Sequence, residues 1–343
     1  MNITVIGGGT GSTVVLEGLK KYKDLNLSVI VGMMDDGGSN ATVRDEFGLL
    51  PLSDVRKSLL ALSDSANNEV WRKLFLYRFS EGNGFKGHTL GNLLMIAMTD
   101  ILGSELEAIE MFKNLFNVRG EILPVTFDSV RLVAEYDDGS KVVGEHRIDE
   151  PSKNKNIINF YLDSKANAFE GAIKSIRNAD FIVLGPGDLY TTILPNILVT
   201  GIKEEIKKSK AKLVYVSNLM SKIGQTRGKT QKEIVEIMEK YIGRDLDYVL
   251  INNGKIPEKA YLRYKKDGED ILKDDLKDGF GRKIVRSNLV AYGLVKKDKG
   301  DKLARSLVRH DKKKLALKLY TIFNEKRNKV VRILSSLFSL YKD

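Results

Sequence analysis

Short apolar runs, each broken by a cluster of glycine, asparagine or aspartate, set the rhythm of this chain. The first, at 3–6, opens into Gly7-Gly8-Gly9-Thr10-Gly11. The second, at 28–34, ends in Asp35-Asp36-Gly37-Gly38-Ser39. Runs of this length bounded by turn residues predict buried strands, and a helix is expected after the first, near 11–23. From about 54 to 117 the apolar positions recur at helical intervals, as Val55-Leu59-Leu62, Val70-Leu74, Leu93-Leu94-Ala97-Ile101 and Ala108-Met111-Phe112-Leu115. Extended segments follow at 121–125 and 131–136. Asp137-Asp138-Gly139-Ser140 then reads as a hairpin turn before 141–146, because Asp-Gly supplies the positive φ such turns need. The polar stretch 153–156 reads as a surface connection.

The alternation then resumes, with helices expected at 168–176, 197–207 and 233–241 and apolar strands at 181–184, 213–217 and 248–251. These strands break into Gly185-Pro186-Gly187-Asp188, into Asn218 and into Asn252-Asn253-Gly254. Strands that all end this way predict one parallel sheet with its site at the carboxyl ends. The fold class expected is therefore α/β, a Rossmann-like doubly wound, mainly parallel sheet. It carries a helical excursion at about 54–117 and a β-hairpin at about 121–150, within a single domain at 1–319.

Composition narrows the chemistry. With 343 residues and no cysteine, disulfides, thiolate metal sites and a cysteine nucleophile are excluded. Three histidines, His88, His146 and His310, do not suit a multi-histidine zinc site, and magnesium on carboxylates is the metal to expect. The first residues already read as a strand and no uncharged stretch approaches about 18 apolar residues, so a cytoplasmic protein without a transmembrane segment is expected. The net charge of +11 is concentrated at 296–343, where 15 Lys and Arg face 5 Asp and Glu. That distribution, without a helix-turn-helix, zinc-finger or aromatic RNA-binding pattern, points away from nucleic acid. At 320–343 an apolar stripe beside Lys326, Arg327, Lys329 and Arg332 reads as a basic amphipathic helical extension, suited to docking on its own domain, on a dimer partner or on an anionic membrane.

The candidate ligand residues cluster at the strand ends. A strand opening through glycines into a helix offers N–H groups and a positive dipole end to an anion, which makes Gly8, Gly9, Thr10 and Gly11 candidates for a diphosphate. The glycine spacing fits the dinucleotide fingerprint at Gly7 and Gly9 but has Ser12 at the third position, and no P-loop sequence is present. Asp35 and Asp36 are candidates for a ribose or for magnesium. Adjacent side chains on extended backbone face opposite ways, so one is expected to reach the ligand, with Asp36 favoured for its place beside Gly37-Gly38. Gly37, Gly38 and Ser39 form a second candidate nest. Arg44 and Arg56 offer guanidinium forks to phosphate, or structural ion pairs; Asp54 is either functional or a helix N-cap. His88 and Asn92, in Gly87-His88-Thr89-Leu90-Gly91-Asn92, are binding candidates with a structural alternative. Gly185, Gly187 and Tyr190 form the third phosphate-type loop. Asn218, with its two-sided amide, is a candidate reader of a base or sugar edge.

The order of these motifs, together with Arg44-Asp45-Glu46-Phe47-Gly48, Asp54-Val55-Arg56, Asn117-Val118-Arg119-Gly120, Pro195-Asn196 and Arg309-His310-Asp311, closely resembles the YvcK family from Met1 to about Leu319. These are the bacterial gluconeogenesis factors of the UPF0052 group, related to the CofD 2-phospho-L-lactate transferases. The resemblance implies a Rossmann-like fold, a UDP-sugar ligand such as UDP-N-acetylglucosamine, and a regulatory role in carbon metabolism and cell shape. It implies a regulatory protein partner, and it adds Arg309 to the candidates. No cofactor is required in that reading, magnesium accompanies a bound nucleotide at most, and a homodimer is expected. The alternative is a CofD-like transferase using a diphosphate-linked donor and magnesium. Two departures from the family pattern bear on the ligand. Asp188 stands where relatives usually carry serine, and Leu52-Ser53 where they commonly have Pro-Gly. A carboxylate beside a diphosphate repels it unless a cation intervenes, so Asp188 marks a changed ligand, a metal requirement or a side chain turned away.

Overall fold

The computed structural model describes residues 1–37, 40–41, 44, 47–64, 69–150, 155–279, 281–293 and 306–325. Seven parallel strands form the main sheet: β1 (Asn2–Ile6), β2 (Asn26–Val31), β3 (Glu121–Pro124), β7 (Phe181–Leu184), β8 (Lys212–Val216), β9 (Tyr248–Asn252) and β10 (Lys283–Ser287). Their order is β10-β9-β8-β7-β1-β2-β3. The chain winds outward from β1 to β3, returns to the other side of β1, and winds out again to β10. The order therefore reverses between β1 and β7, where loops leaving neighbouring strands diverge and open a crevice.

Both faces of the sheet are covered, which is why its strands are apolar throughout rather than alternating. Ile3, Val5, Val29 and Val31 pack into one buried cluster with α1 (Gly9–Leu19), α2 (Ser53–Leu62) and the C-terminal helix Lys312–Phe323. Ile6, Ile30, Ile182 and Leu184 pack into the other, with helices Glu170–Arg177, Leu194–Leu198, Ile202–Lys208 and Gln231–Ile242. The helical excursion forms α3 (Glu69–Leu76), α4 (Leu90–Leu102) and α5 (Glu105–Leu115). Thr89 and Ser104 cap the last two by accepting from Asn92 N–H and Glu107 N–H, and Gly103 ends α4 in a left-handed conformation. No helix among the described residues is long and apolar enough to cross a membrane.

The structure differs from the sequence reading in three places. The expected hairpin is a three-stranded antiparallel sheet, β5-β4-β6, from β4 (Leu132–Tyr136), β5 (Lys141–Val143) and β6 (Ile157–Leu162). Its second strand stops early because Gly144, at φ 106°, turns the chain into a short helix, α6 (Glu145–Asp149). The single helix expected at 197–207 is two, with an extended break at Val199 and Gly201 at φ 100° before Ile202. Helix Glu258–Lys266 and edge strand β10 add a last βα unit that the sequence reading leaves unassigned. Most of the extension at 320–343, from 326 onward, lies outside the described residues.

Candidate functional site

The first glycine loop leaves β1 at the reversal of the sheet, and α1 starts at Gly9 with no side-chain cap from Gly8. The cap comes from elsewhere: Gly9 N–H donates to Asp54 Oδ2 at 2.8 Å, while Asp54 Oδ1 accepts from Lys57 Nζ at 2.6 Å. Asp54 thus serves α1 rather than its own helix. The loop packs tightly on the second one, since a Cβ on Gly11 would lie 1.9 Å from the Pro186 carbonyl oxygen. Thr10 sits in the first turn and its carbonyl accepts from Thr13 Oγ1 at 2.6 Å.

Asp35 and Asp36 do face different ways. Asp35 accepts from Gly37 N–H (2.9 Å), Asn40 Nδ2 (2.6 Å) and Ser53 Oγ (3.1 Å), so it organises the turn and the start of α2. Asp36, the residue favoured for the ligand, accepts from His146 N–H at 2.8 Å and caps α6. Among the described residues no three His, Asp or Glu side chains converge as a metal-holding group. Gly38 and Ser39 lie outside the described residues.

Glu145 completes this acidic corner. Burial, and then the charge of Asp35, push its carboxyl well above the usual range, and a side-chain hydrogen bond with Asp35 acts in the same direction. A carboxyl whose pKa is raised by folding contributes its stability below the unfolded value, about 4.3, and loses it as pH climbs toward the folded value. Glu145→Gln, which keeps a donor for Asp35, is expected to leave stability near pH 4 little changed and to exceed the wild type increasingly toward pH 8. Urea unfolding at the two pH values measures this.

The second loop begins with Gly185 at φ 72°. Gly187 N–H donates to Asn218 Oδ1 at 3.1 Å and Asn218 Nδ2 donates to Gly187 O at 2.9 Å, so this amide closes on the loop. The Asp188 carboxylate, a departure from the family pattern, meets a lysine: Lys222 Nζ donates to Asp188 at 2.6 Å and to both oxygens of Asp149 at 2.5 and 2.8 Å. Tyr190 N–H donates to Gln225 at 2.9 Å, and the Tyr190 ring lies edge-on to Phe160 within the core, where burial pushes its phenol up. One short helix, α6, thus joins the acidic turn, through Asp36 at its start, to the second loop, through Asp149 and Lys222 at its end.

The other candidates lie further out. Arg44 donates to Val130 O (3.0 Å) and Ser129 Oγ (3.2 Å), tying the acidic turn to the loop after β3. Arg56, 5% exposed, donates to Asn92 Oδ1 (2.7 Å) and Phe75 O (2.9 Å), so both residues join α2, α3 and α4. His88 sits half-buried on the loop before α4, its carbonyl accepting from Phe79 N–H. Arg309 lines a cleft of about 330 Å3 with Val14 of α1, Tyr292 and His310. Tyr292 is 87% exposed with Lys314 Nζ 4.2 Å over its ring. Burial lowers the His310 pKa to about 4, which keeps it neutral, and its Nε2 has no hydrogen-bond partner among the described residues. Glu145, Asp149, Lys222 and Tyr292 were not legible as site residues, because each reads in sequence as an ordinary surface position.

These features define a doubly wound α/β protein whose two glycine loops meet at the topological switch of a parallel sheet. The sequence pattern of the family described as 2-phospho-L-lactate transferase CofD matches residues 3–290. The chain belongs to that family. The gluconeogenesis factor of Bacillus subtilis is 36% identical over 326 residues, covering 94% of this chain and 98% of the relative. That of Halalkalibacterium halodurans is 39% identical over 279 residues, covering 80% and 85%. Crystal structures of a UPF0052 protein from Bacillus halodurans superpose with TM-scores of 0.84 and 0.83 at 35% identity, over 93% and 92% of this chain and 99% and 98% of theirs.

Proposed function

We propose that this protein is a gluconeogenesis factor that binds a nucleotide sugar of the UDP class and acts as a regulator rather than a catalyst. The observation that carries this reading is the start of α1, capped by no residue of its own loop but by the Asp54 carboxylate on Gly9 N–H, packed on the second glycine loop where the sheet order reverses. Amides at such a helix start favour an anion, and a diphosphate is the group most often met there. The Arg309 and Tyr292 cleft lies against Val14, about one and a half turns along α1, and offers a cation and an exposed ring for the rest of such a ligand. The names of the relatives favour the same role in carbon metabolism. Binding energy need only select one conformation for a protein partner to read, so no bond has to break. A cytoplasmic homodimer and a role in cell shape belong to this reading. Magnesium enters it only with a bound diphosphate, beside Asp35 and Asp36.

Calorimetric titration with UDP-N-acetylglucosamine, UDP, GDP and NAD, with and without magnesium, tests it. Saturable binding of the UDP-sugar, weakened at least about tenfold in Arg309→Ala and leaving the ligand intact, is the expected result. The name of the matched family favours a second reading, a transferase acting on a diphosphate-linked donor. Preference for GDP with magnesium, or breakdown of the bound nucleotide, would establish that reading and overturn the first.

A further inference from the structure

The helical excursion holds most of the large apolar side chains that the protein turns to water. Of the 15 that are exposed among the described residues, nine fall between Val70 and Leu115. Helix α4 lies at the centre. Its single charged residue is Asp100, and its inward positions are Gly91, Asn92, Met95 and Thr99. Leu90, Leu94, Ala97 and Ile101, spaced by three and four, lie on the other side, and Ile101 is 75% exposed. A helix on the outside of a domain normally turns polar residues to water, so an apolar outer stripe needs a cover. The loop before α4 extends the stripe. Tyr77 O accepts from Leu90 N–H at 2.8 Å, and the rings of Tyr77, Phe79 and Phe85 follow one another at 5.1 and 5.4 Å. Tyr77 N–H donates in turn to Leu74 O at 3.1 Å, and Val70 lies one turn further back along α3.

We propose that this face of the excursion is where two copies of the chain associate about a two-fold axis. Size favours that occupant. The nine side chains are about half exposed on average, and at roughly 200 Å2 for each fully exposed one they offer on the order of 900 Å2. The largest apolar patch of an ordinary monomer is about 300–600 Å2, whereas a stable interface takes about 800 Å2 from each partner. Charge favours it too. Residues 69–115 hold 5 Lys and Arg against 6 Asp and Glu, in a chain whose net charge is +11. Some of these are already paired with each other, Glu69 with Lys73 at 2.6 Å and Glu110 with Lys113 at 2.8 Å. A nearly neutral surface meets its own image without repulsion, as a two-fold contact requires. It also gives an anionic membrane no basic excess to hold. The proposal rests on the homodimer of the proposed function and assigns it a surface.

Analytical sedimentation of the full chain at micromolar concentration is expected to show a dimer. Val70→Asp with Ile101→Asp, at positions 70% and 75% exposed, should weaken it at least about a hundredfold, because each charge would enter a desolvated interface. Leu262→Asp, 60% exposed on helix Glu258–Lys266, should leave the dimer intact. The chain has no cysteine, so single thiols report on the same surface without background. Ile101→Cys is expected to react with a maleimide at least about tenfold more slowly than Leu262→Cys, and dilution below the dimer range should abolish the difference. A monomeric wild type, a dimer that survives both aspartates, or equal thiol rates would each overturn the proposal. So would sedimentation of the wild type with phosphatidylserine vesicles that the double aspartate variant escapes. A surviving dimer would leave the homodimer standing without this surface, and titration of the same variant with UDP-N-acetylglucosamine tests the ligand reading separately.

Discussion

Gly11→Ala is expected to destabilise the protein by about 3 kcal/mol or more, at the upper end of what overpacking usually costs. The added Cβ would stand 1.9 Å from the Pro186 carbonyl oxygen and 2.7 Å from its carbon, and both are backbone atoms of the other glycine loop. Helix α1 has no room to retreat. On its far turn Gly18 already lies against helix Lys312–Phe323, where a Cβ would come within 2.4 Å of the Lys312 carbonyl oxygen. Gly9→Ala is the internal control. Its φ of 63° makes alanine strained, by about 1 kcal/mol, but no atom of the described residues lies within 4 Å of the new methyl group. Urea unfolding of the two variants separates close approach from backbone freedom, and equal losses would refute the packing account.

Lys222→Met is expected to cost about 2–3 kcal/mol at neutral pH. The ammonium holds two carboxylates together, and its removal leaves Asp149 and Asp188 facing each other without a counter-charge. Breaking a fully buried ion pair costs about 3–5 kcal/mol, and the smaller figure reflects a lysine side chain that keeps 32% of its exposure. The sign of the pH dependence follows. Burial already raises the Asp188 carboxyl and Lys222 opposes the rise, so without the lysine its pKa moves further up. The variant should therefore recover stability as pH falls toward about 4, the unfolded value, as the Asp188 carboxyl takes up its proton. Asp188→Ser in the Lys222→Met background is expected to restore most of the loss at pH 7. Failure of that rescue would mean that Asp149, not Asp188, carries the penalty. The same cluster answers the question raised by Asp188 in the sequence: its charge meets a lysine from the loop after β8.

Much of the sheet was legible because its strands are short, apolar on both faces and closed by turn residues. Phe181–Leu184 is found with the bounds that the apolar run predicts. The elements left unassigned belong to edges. In β6 Ile158 is exposed and in β10 Lys283 is exposed, so neither presents the continuous apolar run that marks a central strand. The break before Ile202 depends on Gly201 at φ 100°, and glycine in a helical pattern does not announce whether it will adopt that conformation. At the site, the glycine loops and the acidic turn were visible as motifs. Their partners were not, because the Asp36 contact spans 110 positions to His146 and the Lys222 contact spans 73 to Asp149. Asp54 illustrates the difficulty. Its sequence context suggests a cap for the helix it begins, whereas the fold lends it to α1.

That loan gives the proposed pocket a resident competitor. A tethered carboxylate already sits on the first amide of α1, so an arriving phosphate has to exchange with it rather than fill an open place. The exchange sets a threshold. Because Asp54 is held on the same chain, it competes at a high local concentration that does not depend on the surrounding solution. A lone phosphate has little with which to outweigh it, whereas a larger ligand brings further contacts along α1 to the same exchange. Lys57, which already holds the other oxygen of Asp54, offers the displaced carboxylate a partner to turn toward. Selectivity for an extended ligand over a simple anion would then begin with an aspartate that need not contact the ligand at all.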